Sequence, residues 1–278
     1  MHRRLSRRGV WVGTSGWSYD GWRGPFYPME VPKKDWLSWY GTQFASTEVN
    51  GSFYRTPSVA AVRAWRKNTP KDFLFAWKAS KFITHWKRLD QNTCVNSVAL
   101  LVSRLQLLGP KLGPVLFQLP ANFEADWHKL AAFLPLLPRR FRYAFEFRHS
   151  SWYDAKVLRL LREQGVSLCI SDHHHAPAPW LATASHVYVR GHGPGGRYRD
   201  NYSDSALRDW SAQISKWRRQ GRVVFVYFDN DQKSAAPRDA QRLLELLAAG
   251  GPHKGRAELN QGSRSGVAGA PATQRSNR

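Results

Sequence analysis

The chain has 278 residues, of which 42% are hydrophobic, and a formal net charge of +22. This length and apolar content suffice for a buried core, which excludes a largely disordered chain and fits one (β/α)8 barrel or two small domains. There is no apolar run of about 18 residues, no secretion signal and no cysteine pair with metal-ligand spacing, so we expect a cytoplasmic protein without a membrane span.

The two ends of the chain differ in composition from its middle. Residues 1–9 contain four arginines, which predicts a mobile basic N-terminal arm. Residues 250–278 are rich in Gly, Ser, Ala and Arg and show no apolar periodicity, which predicts a disordered basic tail. A single folded domain is therefore expected over residues 10–249.

Eight short apolar or β-branched runs predict the strands of this domain. Most of them are apolar continuously, as strands that are covered on both faces require. In chain order they are residues 10–14, 47–50, 73–78, 115–118, 143–147, 167–171, 186–190 and 223–228.

Amphipathic helical patterns separate most of these strands. Trp36, Leu37, Tyr40 and Phe44 share one helical face, whereas residues 172–185 contain prolines and no apolar stripe, so the sixth connection should have a short helix or none. Alternation of strand and helix over eight units predicts an α/β fold, a TIM barrel with a closed parallel sheet. An open doubly wound sheet is the alternative, but no GxGxxG follows the first strand.

Polar and ionisable side chains interrupt or end most of the predicted strands. Glu48 with Asn50, Glu146 with Arg148, and Arg190 with His192 are each two residues apart, so each pair points to one side of its strand. Since loops at the carboxyl ends of barrel strands build the active site, we predict one polar pocket there. A purely structural polar network would give the same pattern. The other strands end with Lys78, Gln118, Asp172 and Asn230.

The loop after the seventh strand, RGHGPGGRYRDNY, is rich in glycine and arginine. Glycine allows close backbone approach and arginine pairs bidentately with phosphate, so we predict an anion site formed by Arg190, His192 and Arg197. This site should face the same mouth as Glu146. A flexible surface loop is the competing interpretation.

No cofactor is identified from the sequence. Glu146, Asp172 and His192 are candidate ligands for a divalent metal ion, since their oxygen and nitrogen atoms suit such an ion. No P-loop, HExxH, nucleophile elbow, thiol redox motif or nucleotide-cofactor motif is present.

Several motifs together resemble the YecE-like family, domain of unknown function 72, over about residues 10–248. They are GTSGWSYDGWRGPFYP, STEVNGSFYRTP, KASKFITH, LGPVLFQLPANF, EFRHSSW, YVRGHG and YFDND. The resemblance implies a TIM barrel and leaves the reaction undefined. Carried over position by position, it implies the site residues Glu48, Asn50, Tyr54, Lys78, His85, Gln118, Glu146, Arg148, His149, Trp152, Arg190, His192, Tyr198, Tyr202 and Asn230.

The first functional hypothesis is an enzyme, a hydrolase, lyase or isomerase, acting on a small polar or anionic substrate such as a phosphorylated sugar or a nucleotide-like compound. Glu48 and Glu146 are the predicted acid and base, with Lys78 and Arg148 neutralising charge and His192 completing the catalytic set. The remaining strand-end and motif residues, with Arg197 and Asp172, are predicted to bind substrate.

Two alternatives remain open at the level of sequence. One is a nucleic-acid-binding protein or nuclease whose basic surface and tail contact phosphates while Trp and Tyr side chains stack on bases. The other is a barrel that binds a small molecule without catalysis. The sequence predicts no particular oligomeric state.

Overall fold

The computed structural model describes residues 1–250, and its framework is a single sheet of eight parallel strands. Hydrogen bonding follows the order β1-β8-β7-β6-β5-β4-β3-β2. The strands are β1 Val10–Thr14, β2 Ser46–Val49, β3 Leu74–Lys78, β4 Leu112–Gln118, β5 Tyr143–Glu146, β6 Ser167–Ser171, β7 His186–Gly191 and β8 Val223–Phe228.

The ends of this sheet meet at β1 and β2, which closes the barrel. Ser15 and Glu48 form a parallel bridge, and the Thr47 hydroxyl donates to the Thr14 carbonyl oxygen at 3.0 Å. A Cβ on Gly13 would lie 2.0 Å from the Ser46 carbonyl oxygen, so only glycine allows β1 and β2 to approach this closely. The prediction of a TIM-type α/β barrel is confirmed.

Helices cover the outside of the barrel and follow every strand but the sixth. Trp36, Leu37, Tyr40 and Phe44 are buried, as their shared face predicts. Within the described part of the chain, residues 172–185 contain no helix, which confirms the prediction for this connection. The helices are α1 His2–Arg7, α2 Trp36–Gln43, α3 Val59–Lys67, α4 Gln91–Leu108, α5 Trp127–Phe133, α6 Ala155–Glu163, α7 Asp204–Arg219 and α8 Ala235–Ala249.

The amino-terminal segment differs from its prediction. Residues 1–9 are expected to be a mobile arm, but α1 occupies most of them and its Leu5 is buried against the barrel. Leu5 is a weak apolar signal among four arginines, and its burial is enough to hold the six-residue helix α1 on a hydrophobic surface. The basic tail predicted for 250–278 lies, beyond Gly250, outside the described residues.

The barrel interior is layered, and its layers change from apolar to polar along the strands. The middle of the interior is fully buried and consists of Ala76, Leu116, Ala144, Cys169, Tyr188, Phe225 and Tyr227. Because every second residue of a strand faces inward, Lys78, Glu146, Arg190 and Asp229 lie one layer nearer the carboxyl ends. The candidate site is therefore supported from below by fully buried, mainly aromatic and aliphatic side chains.

No helix within residues 1–250 has the length and apolar character needed to cross a membrane.

Candidate active site

The guanidinium of Arg190 is the centre of the polar layer. It is fully buried and donates to three carboxylates. Nε and Nη2 reach the two oxygens of Glu48 at 3.1 and 2.8 Å, Nη1 reaches Glu146 Oε2 at 2.9 Å, and Nη2 reaches Asp229 Oδ2 at 2.8 Å. Such pairing is needed because a buried charge without a partner is strongly destabilising.

Glu48 is fully enclosed by hydrogen-bond donors. Besides Arg190, the Tyr188 hydroxyl donates to its Oε2 at 2.6 Å and the Ser15 hydroxyl donates to its Oε1. The side chain has no exposed surface and does not line the cavity described below. Its observed contacts fit a structural anion and do not support the acid or base role predicted for it.

Glu146 is likewise held as a buried anion. Arg148 Nε donates to its Oε1 at 2.8 Å and the Ser171 hydroxyl donates to the same oxygen at 3.0 Å. Burial alone would raise the pKa of Glu146, but Arg148 and Arg190 hold it well below its ordinary value. A carboxylate with so low a pKa is a poor proton donor near neutral pH, so the predicted acid and base pair is not supported.

His192 connects this network to the loop that follows β6. Its backbone N–H donates to Asp172 Oδ1 at 2.7 Å and its Nδ1 lies 3.1 Å from the same oxygen. Burial lowers the pKa of His192 well below its ordinary value, and Arg190 and Arg148 add to this effect. A neutral ring with its proton on Nδ1 fits these contacts, since Nε2 then accepts from Arg190 at 3.1 Å.

These contacts argue against the predicted metal ligands. Glu146 accepts from Arg148, Arg190 and Ser171. His192 Nε2 faces two guanidinium groups, and Asp172 accepts from His192 and from the Tyr202 hydroxyl. Among residues 1–250, no group of three or more His, Cys, Asp or Glu side chains is arranged to hold a metal ion. The hypothesis that Glu146, Asp172 and His192 form a metal site is not supported by this geometry.

A cavity of about 630 Å³ opens above the polar layer at the carboxyl ends of the strands. Its wall includes aromatic rings from the loop after β1 and the half-buried Asp231. Six of the predicted site residues line it, namely Asn50, Tyr54, Lys78, His85, Gln118 and Tyr198.

Lys78 is buried in the floor of this cavity. Its amine donates to Asn50 Oδ1 at 3.2 Å and lies 4.5 Å from the centre of the Phe53 ring. Within the described chain, no carboxylate oxygen lies within 4.0 Å of it. Burial lowers the pKa of Lys78 to about 8, Arg190 contributes in the same direction, and Asp229 opposes them. This amine therefore loses its proton far more easily than an exposed lysine.

Burial also shifts the pKa values of His85, Asp231 and Tyr198, which line the same cavity. Burial lowers the pKa of His85 to about 4, with the charge of Lys78 adding to the shift, so the imidazole is neutral at pH 7. Burial raises the pKa of Asp231, and the charge of Asp229 raises it further. Tyr198 accepts a hydrogen bond from Arg148 Nη1 at 2.9 Å, which leaves its own proton available to a ligand.

Four of the predicted binding residues have structural partners outside the cavity. His149 accepts from the Ser151 backbone N–H, and Trp152 donates to the Phe123 carbonyl oxygen at 2.6 Å. Asn230 donates to Asp239 in α8 at 2.8 Å, and Tyr202 donates to Asp172. These side chains position loops around the site, and they do not line it.

The three residues predicted to form an anion site on the glycine-rich loop after β7 are not brought together by the structure. Arg190 and His192 are fully buried, whereas Arg197 is exposed and makes no hydrogen bond within the described chain. A Cβ on Gly196 would lie 2.4 Å from the Asp172 carbonyl oxygen, and one on Gly193 would lie 2.0 Å from that of Arg199. The glycines thus allow backbone to pack on backbone, which places Tyr198 over the cavity.

Asp229 is a site residue that the sequence interpretation missed. It ends an inward-facing series with Phe225 and Tyr227, whereas Asn230 follows in the outward-facing position. Counting alternate positions along the eighth strand would have selected Asp229. Tyr19 and Asp231, which also line the cavity, belong to motifs quoted above but project from loops, where side-chain direction has no fixed period.

The fold and site define a parallel α/β barrel with a buried ionic layer beneath a polar and aromatic cavity. A family model described as "Protein of unknown function DUF72" matches residues 11–262, and the chain belongs to this family. The resemblance drawn from the motifs is therefore confirmed.

Individual relatives agree with this assignment. The chain is 26% identical to UPF0759 protein YunF of Bacillus subtilis (strain 168), covering 86% of this chain and 94% of that protein. It is 30% identical to UPF0759 protein YecE of Escherichia coli (strain K12), covering 61% of this chain and 62% of that protein. A crystal structure of a DUF72 family protein from Thermotoga maritima MSB8 is 25% identical, covers 86% of this chain and 99% of that one, and superposes with a TM-score of 0.78.

Replacing Arg190 tests whether the guanidinium holds the polar layer together. We expect Arg190→Met to lower the free energy of unfolding by about 3–5 kcal/mol at pH 7, because it leaves buried carboxylates without a partner. Arg197→Met, at an exposed position, should change it by less than about 0.5 kcal/mol. Urea denaturation followed by circular dichroism measures both.

The free energy of unfolding that Arg190→Met loses should become smaller as the pH falls. In the wild type the pKa of Glu146 is depressed, so its stabilising contribution persists down to the ordinary carboxyl pKa and is lost only below it. In the variant, burial raises carboxyl pKa values, and protonation relieves the repulsion as the pH falls. The deficit should therefore be smaller at pH 5 than at pH 7, and an equal deficit at both would contradict the ionic origin.

Proposed function

We propose that this protein is an enzyme that acts on a small polar substrate in the cavity, with the Lys78 amine as its reactive base. One observation carries the proposal: the amine lies in the cavity floor without a carboxylate partner within 4.0 Å among the described residues. An amine in this position can act as a general base, because it can accept a proton near neutral pH.

The proton donors required for such a reaction are present in the same cavity. Tyr198 has a free hydroxyl proton and is polarised by Arg148, and Asp231 has a raised pKa. The surroundings of Lys78 and Asp231 move their pKa values toward neutrality, which suits general acid and base catalysis. Burial raises the pKa of Tyr198, so this residue acts as a neutral hydrogen-bond donor. Lys78 and these donors replace Glu48 and Glu146 as the acid and base of the proposal.

The lining of the cavity suggests the kind of substrate. Trp17, Tyr19 and Trp65 offer aromatic surface, and Asn50 and Gln118 offer amides that can bond to hydroxyl groups. Lys81 stands 5.6 Å from the ring of Tyr54 at the mouth, where a phosphate would find a cation. A sugar-like or nucleotide-like compound, phosphorylated at its outer end, fits this distribution.

Substitution of Lys78 tests the proposal once a screen of phosphosugars, nucleotides and glycosides has found turnover. We expect Lys78→Arg to lower kcat/KM by about 10²- to 10⁴-fold, because arginine keeps the charge and does not release its proton. Wild-type kcat/KM should rise with pH up to about 8, as the amine becomes neutral.

The matched control is Lys216→Met, which alters an exposed lysine on α7 and should leave kcat/KM unchanged. Wild-type turnover in Lys78→Arg would mean that the amine serves only as a positive charge. That result would contradict the proposed base.

A second candidate function, binding of single-stranded nucleic acid, is favoured by the rim of the cavity. Tyr54 and Trp86 are 68% and 65% exposed, and the amine of Lys81 lies 5.6 and 5.2 Å from the centres of their rings. Exposed aromatic rings beside cations are the elements that bind unpaired bases and their phosphates. The net charge of +22 also favours binding of a nucleic acid, because it attracts the phosphates.

Fluorescence anisotropy with a labelled oligonucleotide tests this candidate. Trp86→Ala should weaken binding by about 1–3 kcal/mol if a base stacks there, whereas Trp127→Ala, on α5, should not. Affinity should fall steeply with salt, by roughly 0.7 logarithmic units per phosphate contact for each tenfold increase. Binding that both variants retain, or that salt leaves unchanged, would contradict a nucleic acid at this rim.

A further inference from the structure

The surroundings of Lys78 allow more than proton transfer. The residue ends β3, so the barrel fixes its backbone, while Asn50 and Phe53 fix the position of its amine. The carboxylates below it, Glu48 and Glu146, are engaged by Arg190. The amine is therefore pre-positioned, open to the cavity and not committed to an ion pair within 4.0 Å among the described residues.

We propose that the Lys78 amine forms a covalent imine with an aldehyde or ketone bound in the cavity, at a carbonyl whose immediate neighbours carry no charge. This inference rests on the proposed function and deepens it by naming the class of substrate. Lysine amines in apolar surroundings are established nucleophiles toward carbonyl groups.

The step balances without an oxidant or reductant. The Nζ lone pair attacks the carbonyl carbon, the C–O π electrons move to oxygen, that oxygen takes up a proton, and Nζ loses one. The resulting hydroxyl is protonated and leaves as water while the nitrogen lone pair forms the C=N bond. One water molecule is released for each imine formed.

Two groups that line the cavity are suited to supply the protons. The Tyr198 hydroxyl accepts from Arg148, so its proton is free to bond to the carbonyl oxygen during attack. The half-buried Asp231 carboxyl group lines the cavity, and its raised pKa lets it carry a proton to the leaving hydroxyl. Both lie in the cavity that Lys78 lines.

The charge of the cavity selects the electrophile. Asp229 lines it together with Lys78, and Asp231 carries the proton for the leaving hydroxyl, so an anionic group at the floor would be repelled by the Asp229 carboxylate. An uncharged carbonyl meets no such repulsion. A phosphate on the same substrate would lie instead near Lys81 at the mouth.

An imine at this position also limits the reaction that follows. A protonated imine withdraws electrons from the neighbouring carbon, which promotes loss of a proton or cleavage of a carbon–carbon bond there. Among the classes expected from the sequence, this favours a lyase or isomerase over a hydrolase.

Reductive trapping of the full-length protein tests the inference without relying on any variant. The protein is incubated at pH 7 with dihydroxyacetone, glyceraldehyde or pyruvate and then with sodium borohydride. An imine is reduced to a stable amine, which raises the protein mass by that of the carbonyl compound less one oxygen atom. Peptide mapping identifies the lysine that carries the label.

We expect Lys78 to be labelled on the order of 100-fold faster than exposed Lys216, because the fraction of free amine at pH 7 rises tenfold for each unit by which the pKa falls. The neutral dihydroxyacetone and glyceraldehyde should react in preference to pyruvate. In Lys78→Arg the fast label should be lost, and in Lys216→Met it should remain.

Labelling of Lys78 no faster than that of Lys216 would overturn the imine, and a preference for pyruvate would overturn the uncharged carbonyl. The proposed function fails separately. Fast labelling of Lys78 together with unchanged turnover in Lys78→Arg would support the imine and contradict the catalytic base. Lost turnover in Lys78→Arg without any trapped product in the wild type would support the catalytic base and contradict the imine.

Discussion

The bonds of one buried guanidinium to three carboxylates hold the upper part of this barrel together. Arg190 joins Glu48, Glu146 and Asp229, which come from the carboxyl ends of β2, β5 and β8. Without a cation at this point, three negative charges would face one another in a dry interior. The arrangement also determines which groups remain for chemistry. Because the carboxylates nearest the floor are engaged by Arg190, the Lys78 amine stays without an ion-pair partner within 4.0 Å in the described chain.

Much of the architecture could be predicted from the sequence, because the strands are continuous apolar runs with polar residues at their ends. The bounds of β1, β6 and β8 agree with the predicted runs 10–14, 167–171 and 223–228. The two-residue period of a strand also placed Glu146 and Arg148 on one side, and the structure brings them within 2.8 Å. The order of residues along each strand thus determines which side chains face the barrel interior and how near the carboxyl end they lie.

The roles of the polar residues could not be predicted, because they depend on which strands become neighbours across the barrel. Glu48 and Lys78 both end strands, yet one is enclosed by three donors and the other faces a cavity. Trp152 belongs to a distinctive motif, but it packs on Phe147 with ring centres 4.8 Å apart and supports the site from behind. Membership of a motif therefore does not distinguish a residue that lines the site from one that supports the fold.

The pKa of Lys78 tests the account most directly, since it measures the burial and missing partner on which the proposed chemistry depends. Nuclear magnetic resonance of protein labelled at lysine Nζ and Cε gives this value, with Lys78→Arg identifying the resonance that disappears. The account predicts one lysine that loses its proton near pH 8, well below the exposed lysines. A Lys78 resonance that titrates together with the exposed lysines, above about pH 10, would contradict it.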